Sequence, residues 1–95
     1  MNVQDYLLTT LIEECSEVIQ AISKGQRFGM DNRYGNHDTK REHIAYEIDD
    51  LLGVIALCQD KGILQDSNSD RRQAKAVKVM HYLNESIEAG IVKTT

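Results

Sequence analysis

Apolar residues recur along this chain at intervals of three and four and nowhere alternate with polar ones over a useful length. Leu7, Leu8, Leu11, Ile12, Cys15, Val18, Ile19 and Ile22 follow that spacing, which predicts an amphipathic helix over about 3 to 24 with Gly25 just past its end. Ile44, Ile48, Leu51, Leu52 and Ile55 predict a second helix over about 39 to 60, capped by Asp38 or Thr39. Ala74, Val77, Val79, Met80 and Leu83 predict a third, starting near Ser69 as N-cap, with Ile87 and Ala89 suggesting a short last turn before Gly90. Gly25, Gly29, Gly35 and the polar residues among them read as one long loop over 25–38, and a second break runs from Lys61-Gly62 to Ser69. With no proline, no strand pattern and no internal repeat, the expected fold is all-α. It is a small helical bundle in one domain, 1–95: an antiparallel hairpin of the first two helices, with the third returning across it.

Acids are placed unevenly on this frame. Glu14 and Glu17 on the first helix, and Glu47 and Asp50 on the second, lie about 90° and about 150° to the same side of apolar stripes centred on Leu11, Cys15 and Ile22 and on Leu51, Ile55 and Ile48. Tyr46, Val54 and Leu57 share the flank of Glu47 and Asp50, so this flank reads as partly packed, against its own core and another subunit. Carboxylates bordering such a surface are costly unless paired or coordinated. Four of them converging from two helices make an oxygen-rich site suited to a hard cation, Mg²⁺ or Mn²⁺. The plain alternative is that these four, together with Glu13 and Asp49, are six acids on solvated faces.

Length and charge narrow the function further. A chain of 95 residues buries a modest share of its surface, and a partner subunit would help it. A formal charge of −4 argues against a nucleic-acid polymer as ligand, since that needs a basic footprint. No basic, apolar leader and no membrane-length apolar run occurs, so the expected location is the cytoplasm. Cys15 and Cys58 lack metal or redox spacing and read as small buried hydrophobes.

The run Glu13-Glu14-Cys15-Ser16-Glu17, followed by Glu47-Ile48-Asp49-Asp50, resembles the EExxE and ExxD signature of the MazG-like, all-α nucleoside triphosphate pyrophosphohydrolases over about 7 to 83. The resemblance implies that Glu14, Glu17, Glu47 and Asp50 are metal ligands and that Glu13 lines the site, with Glu13 or Glu17 acting on the attacking water. It implies water attack on the α-phosphorus of a nucleoside triphosphate with magnesium-bound pyrophosphate leaving, and a homodimer or a homotetramer built as a dimer of dimers. It also points to Lys75 and Lys78 as phosphate-binding residues, and Tyr82 and Asn84 lie where they could meet ribose or base. Arg71 and Arg72 read instead as a solvated stripe.

The chain departs from the family pattern in two respects. The 29 residues between Glu17 and Glu47 exceed the usual spacing, with Arg27, Phe28, Met30, Arg33 and Tyr34 available to cover a nucleotide, and the Trp and some lysines of other branches are missing, including at Thr10. His43, one turn before Glu47, reads as a surface or interface histidine within reach of the acids, and no Ser or Cys forms a nucleophilic dyad. A di-iron bundle would place histidine where Asp50 stands. A non-enzymatic helical dimerisation module is the other competing reading.

Overall fold

The structure, a computed structural model, describes residues 1–94. Helix α1 spans Val3–Phe28, α2 spans Lys40–Asp60 and α3 spans Ser69–Glu88, with no strand among the described residues. The chain forms two compact units, Met1–Gln65 with α1 and α2, and Asp66–Thr95 with α3. The fold is all-α, a helical hairpin followed by a C-terminal helix.

Local chemistry sets the helix ends. The Asn2 side chain accepts the Asp5 N–H at 2.8 Å and starts α1. Thr39 starts α2 through a capping box: its hydroxyl accepts the Glu42 N–H while the Glu42 carboxylate accepts the Thr39 N–H. Asn68, rather than Ser69, caps α3 by accepting the Arg71 N–H at 2.9 Å, and α3 continues without interruption to Glu88. An amide oxygen reaches a backbone N–H as well as a hydroxyl does, so the cap falls one residue earlier than expected.

Gly25 does not end α1. It is buried within the helix, which continues to Phe28 and closes on Gly29 at φ 96°. A Cβ on Gly25 would stand 2.5 Å from Met30 Sδ and 3.2 Å from Ile44 Cδ1. The glycine thus sits where the Met30 and Ile44 side-chain ends pack close against the α1 backbone, while the left-handed backbone position expected there lies four residues later. The connection shortens to 29–39 and is fastened at several points. Arg41 bonds Asp31 at 2.8 Å, Arg33 bonds Glu42 at 2.6 Å, and the Arg41 N–H donates to the Met30 carbonyl.

Within the hairpin, the buried and half-buried positions include Leu7, Leu11, Glu14, Val18, Ala21 and Gly25 on α1 and Lys40, Ile44, Glu47, Leu51, Val54 and Cys58 on α2. Both series alternate steps of four and three, the spacing of a coiled-coil seam. Only Ala21, Ile44 and Cys58 are buried apolar side chains among the described residues. The seam is rotated about 50–60° from each stripe centre given by the sequence, toward the acids. Cys15 is accordingly exposed, and Ile12, Ile19 and Ile22 stand in solvent, as do Ile48 and Leu52. The apolar stripe of each helix is wider than one interface, and only one edge of it is used in the hairpin.

In two antiparallel right-handed helices, flanks of the same angular sense lie on one face. The exposed aliphatic residues Ile12, Ile19, Ile22, Ile48 and Leu52 fall about 60–140° to one side of the seam, while Glu13, Glu17 and Asp50 fall about 80–120° to the other. The hairpin has one aliphatic face and one acidic face. Tyr46 and Leu57 share the acidic face but are exposed, and Val54 belongs to the seam, so the packing inferred for that flank is not made within the hairpin.

Candidate metal centre

Two acids occupy positions that a coiled-coil seam normally gives to leucine. Glu14 lies one step after Leu11 on α1, and Glu47 one step after Ile44 on α2. Because the helices are paired, these positions meet, and Asp50 joins them from one turn farther along α2. One carboxylate oxygen from each of Glu14, Glu47 and Asp50 lies within 4.8 Å of the other two.

The electrostatics of the group are unfavourable as it stands. Glu14 Oε2 and Glu47 Oε2 are buried and have no hydrogen-bond partner. Desolvation raises the Glu14 pKa above its ordinary value, and the charges of Glu17, Asp50 and Glu13 push it the same way. Glu47 is also raised, first by desolvation and then by the neighbouring Glu17 carboxylate. His43, with Nε2 3.5 Å from the Glu47 carboxylate, acts in the opposite direction.

Buried anionic oxygens without donors call for a positive partner. Carboxylate oxygens alone, with neither thiolate nor imidazole inside the cluster, form the donor set of a hard divalent cation. The residues present therefore fit magnesium or manganese. Glu17 and Glu13 are exposed beside the cluster, where a carboxylate remains available to water.

The remaining residues picked out by sequence lie in the second unit. Lys75, Lys78, Tyr82 and Asn84 are all exposed on α3. Lys75 and Lys78 border one shallow pocket with Arg71 and Ala74, whereas Asn84 borders another with Val77, Met80 and His81. Tyr82 meets the neighbouring His81 ring edge-on, at 5.5 Å between centroids. These four side chains do not form one constellation on the helix.

Beside His43, already within reach of the acids in sequence, the structure gathers basic side chains that the chain order keeps apart. Lys24, His37, Lys40 and His43, with Asp38, line a cavity of about 270 Å³ at the closed end of the hairpin. The lysines are separated by the whole loop in sequence, and only the pairing of α1 with α2 reveals them as neighbours. No helix among the described residues is long and apolar enough to cross a membrane. No protein-family model, no curated protein and no solved structure matches the chain.

Proposed function

We propose that this protein is a magnesium-dependent hydrolase of the MazG-like kind that splits nucleoside triphosphates into monophosphate and pyrophosphate and so clears unwanted nucleotides. The reading is carried by the meeting of Glu14, Glu47 and Asp50 across the α1–α2 seam, with two buried carboxylate oxygens that have no partner. The order of the acids, EExxE and then ExxD, supplies the reaction class.

Glu14, Glu17, Glu47 and Asp50 would hold the cation. When bound, magnesium would offset the charge of a triphosphate and stabilise charge on the departing pyrophosphate. Glu17 or Glu13 would accept a proton from the attacking water. The new bond joins the water oxygen to the α-phosphorus, and the bond broken is the α–β phosphoanhydride, whose oxygen leaves with pyrophosphate. Base and sugar preference would come from residues outside the acid cluster, including the 29–39 connection.

The aliphatic face of the hairpin supports assembly into a homodimer or a dimer of dimers. Five branched aliphatic side chains in solvent are a stronger apolar surface than single scattered ones. A second subunit would cover them and leave the acidic face accessible to substrate.

The test is a panel of ribo- and deoxynucleoside triphosphates incubated with Mg²⁺, separating pyrophosphate from orthophosphate by chromatography. Pyrophosphate and monophosphate in equal amounts are expected, with turnover abolished in the double substitution Glu47→Gln, Asp50→Asn while helical circular dichroism is retained. Orthophosphate as the only inorganic product would indicate a phosphatase. No turnover of any nucleotide would favour a non-enzymatic helical module.

A further inference from the structure

We infer that the cavity between the C-terminal part of α1 and the start of α2 is a phosphate subsite, in which Lys24, Lys40, His37 and His43 receive the part of the triphosphate that leaves as pyrophosphate. The inference rests on the pyrophosphohydrolase reading and names the residues that hold the leaving group. It gives the hairpin phosphate-binding residues of its own, separate from Lys75 and Lys78 on α3.

Charge is the first argument. The chain is acidic overall, yet this cavity is bordered by two lysines and two histidines against a single carboxylate, Asp38. Arg33 and Arg41 are engaged by Glu42 and Asp31, and Lys40 Nζ stands 5.6 Å from the centroid of the Tyr34 ring, but neither Lys24 nor Lys40 has a carboxylate at ion-pair distance among the described residues. Lysine binds phosphate as a point charge and needs no rigid planar geometry.

Position is the second. His43 belongs to both features, since it lines the cavity and stands 3.5 Å from Glu47. Along α2, Lys40 and His43 precede Glu47 by about 10 Å and about 6 Å, taking 1.5 Å per residue. That interval matches the reach of a triphosphate whose α-phosphorus sits at the acids. Lys24 stands at the same remove from Glu17 along α1, so both helices carry a lysine seven residues beyond an acid on the same side of the metal centre. The first turn of α2 adds the positive end of a helix dipole.

Size is the third. The cavity, at about 270 Å³, falls just below the roughly 300–1,000 Å³ of pockets that enclose whole drug-sized ligands. Open to solvent on one side, it has room for phosphate groups.

The test uses inorganic pyrophosphate with Mg²⁺, titrated into the full chain and followed by amide chemical shifts. Saturable shifts concentrated in residues 24 and 37–43 are expected. The double substitution Lys24→Gln, Lys40→Gln should weaken binding about tenfold or more, as loss of charge-assisted contacts implies. Lys24→Arg, Lys40→Arg should retain most of the affinity, which separates loss of charge from loss of fold. Unchanged affinity in the glutamine variant, or shifts confined to α3, would overturn the subsite. Nucleotide turnover separates this result from the broader reading. If the glutamine variant hydrolyses triphosphates with unchanged KM and unchanged inhibition by pyrophosphate, the subsite is wrong and the hydrolase stands. If pyrophosphate binding depends on the lysines but no triphosphate is hydrolysed, the anion site stands and the hydrolase fails.

Discussion

Glu14 on α1 and Glu47 on α2 meet across the hairpin seam, each with one buried carboxylate oxygen that accepts no hydrogen bond. Hydrophobic side chains at these two steps would extend the seam. The acids interrupt it, and in metal-free protein they oppose folding.

The sign follows from their raised pKa values. The folded state binds these protons more tightly than the unfolded state, so their stabilising contribution is fully present below the ordinary value of 4.5 and is lost as pH rises through the raised folded values. In EDTA, Glu14→Gln and Glu47→Gln should therefore each raise Tm at pH 7.5 and leave it nearly unchanged at pH 4. Thermal melts at the two pH values check this, and a lower Tm for both variants at pH 7.5 would contradict it.

Magnesium should reverse that order. A ligand that binds only the folded state at one hundred times its Kd stabilises it by about 2.7 kcal/mol. Wild-type Tm is expected to rise with Mg²⁺ or Mn²⁺, with a much smaller rise for Glu47→Gln and none for Glu14→Gln, Glu47→Gln together. Monovalent salt at equal ionic strength is the control.

Gly25 should accept a branched side chain only at a cost. Met30 Sδ and Ile44 Cδ1 already occupy the space beside its backbone. Gly25→Val should cost about 1–3 kcal/mol in urea unfolding, the usual penalty of overpacking, despite the better helix propensity of valine.

Thr39 organises the start of α2 and holds Glu42 in place beside Arg33. Thr39→Ala should cost about 1 kcal/mol of stability, as loss of an N-cap does. Because Lys40 and His43 follow this cap, the same substitution should weaken pyrophosphate binding, measured by calorimetry.

The aliphatic face should govern assembly. Ile19→Glu with Leu52→Glu places charge in the middle of it, and sedimentation velocity should show a shift from oligomer to monomer. A monomeric wild type would remove the reason for assigning this face to a second subunit.

Much of this was legible in the chain itself. Apolar spacing located three helices, and the start of the second was narrowed to Asp38 or Thr39, of which Thr39 makes the cap because its hydroxyl reaches the Glu42 N–H. Of the four acids picked out by the ExxE and ExxD spacings, Glu14, Glu47 and Asp50 meet, while Glu17 stays outside that group on the exposed flank. Gly25 lies inside α1 rather than after it, because a glycine in a left-handed cap and a glycine beside a packed helix look alike in sequence. Asn68 rather than Ser69 caps α3, a choice the sequence leaves open because either side chain can cap.

Sequence by itself determined that acids lie beside apolar stripes on two consecutive helices, since 3.6 residues per turn fixes angular position on each helix. Tertiary structure decided which edge of each stripe became the interface. A stripe broad enough for two contacts has no unique centre until another helix packs on it. The packing turned both helices toward the acids, leaving Ile12, Ile19, Ile48 and Leu52 in solvent, and brought Glu14 and Glu47 into the seam. It also made neighbours of Lys24 and Lys40, which are remote along the chain and adjacent only because α1 and α2 fold back on one another.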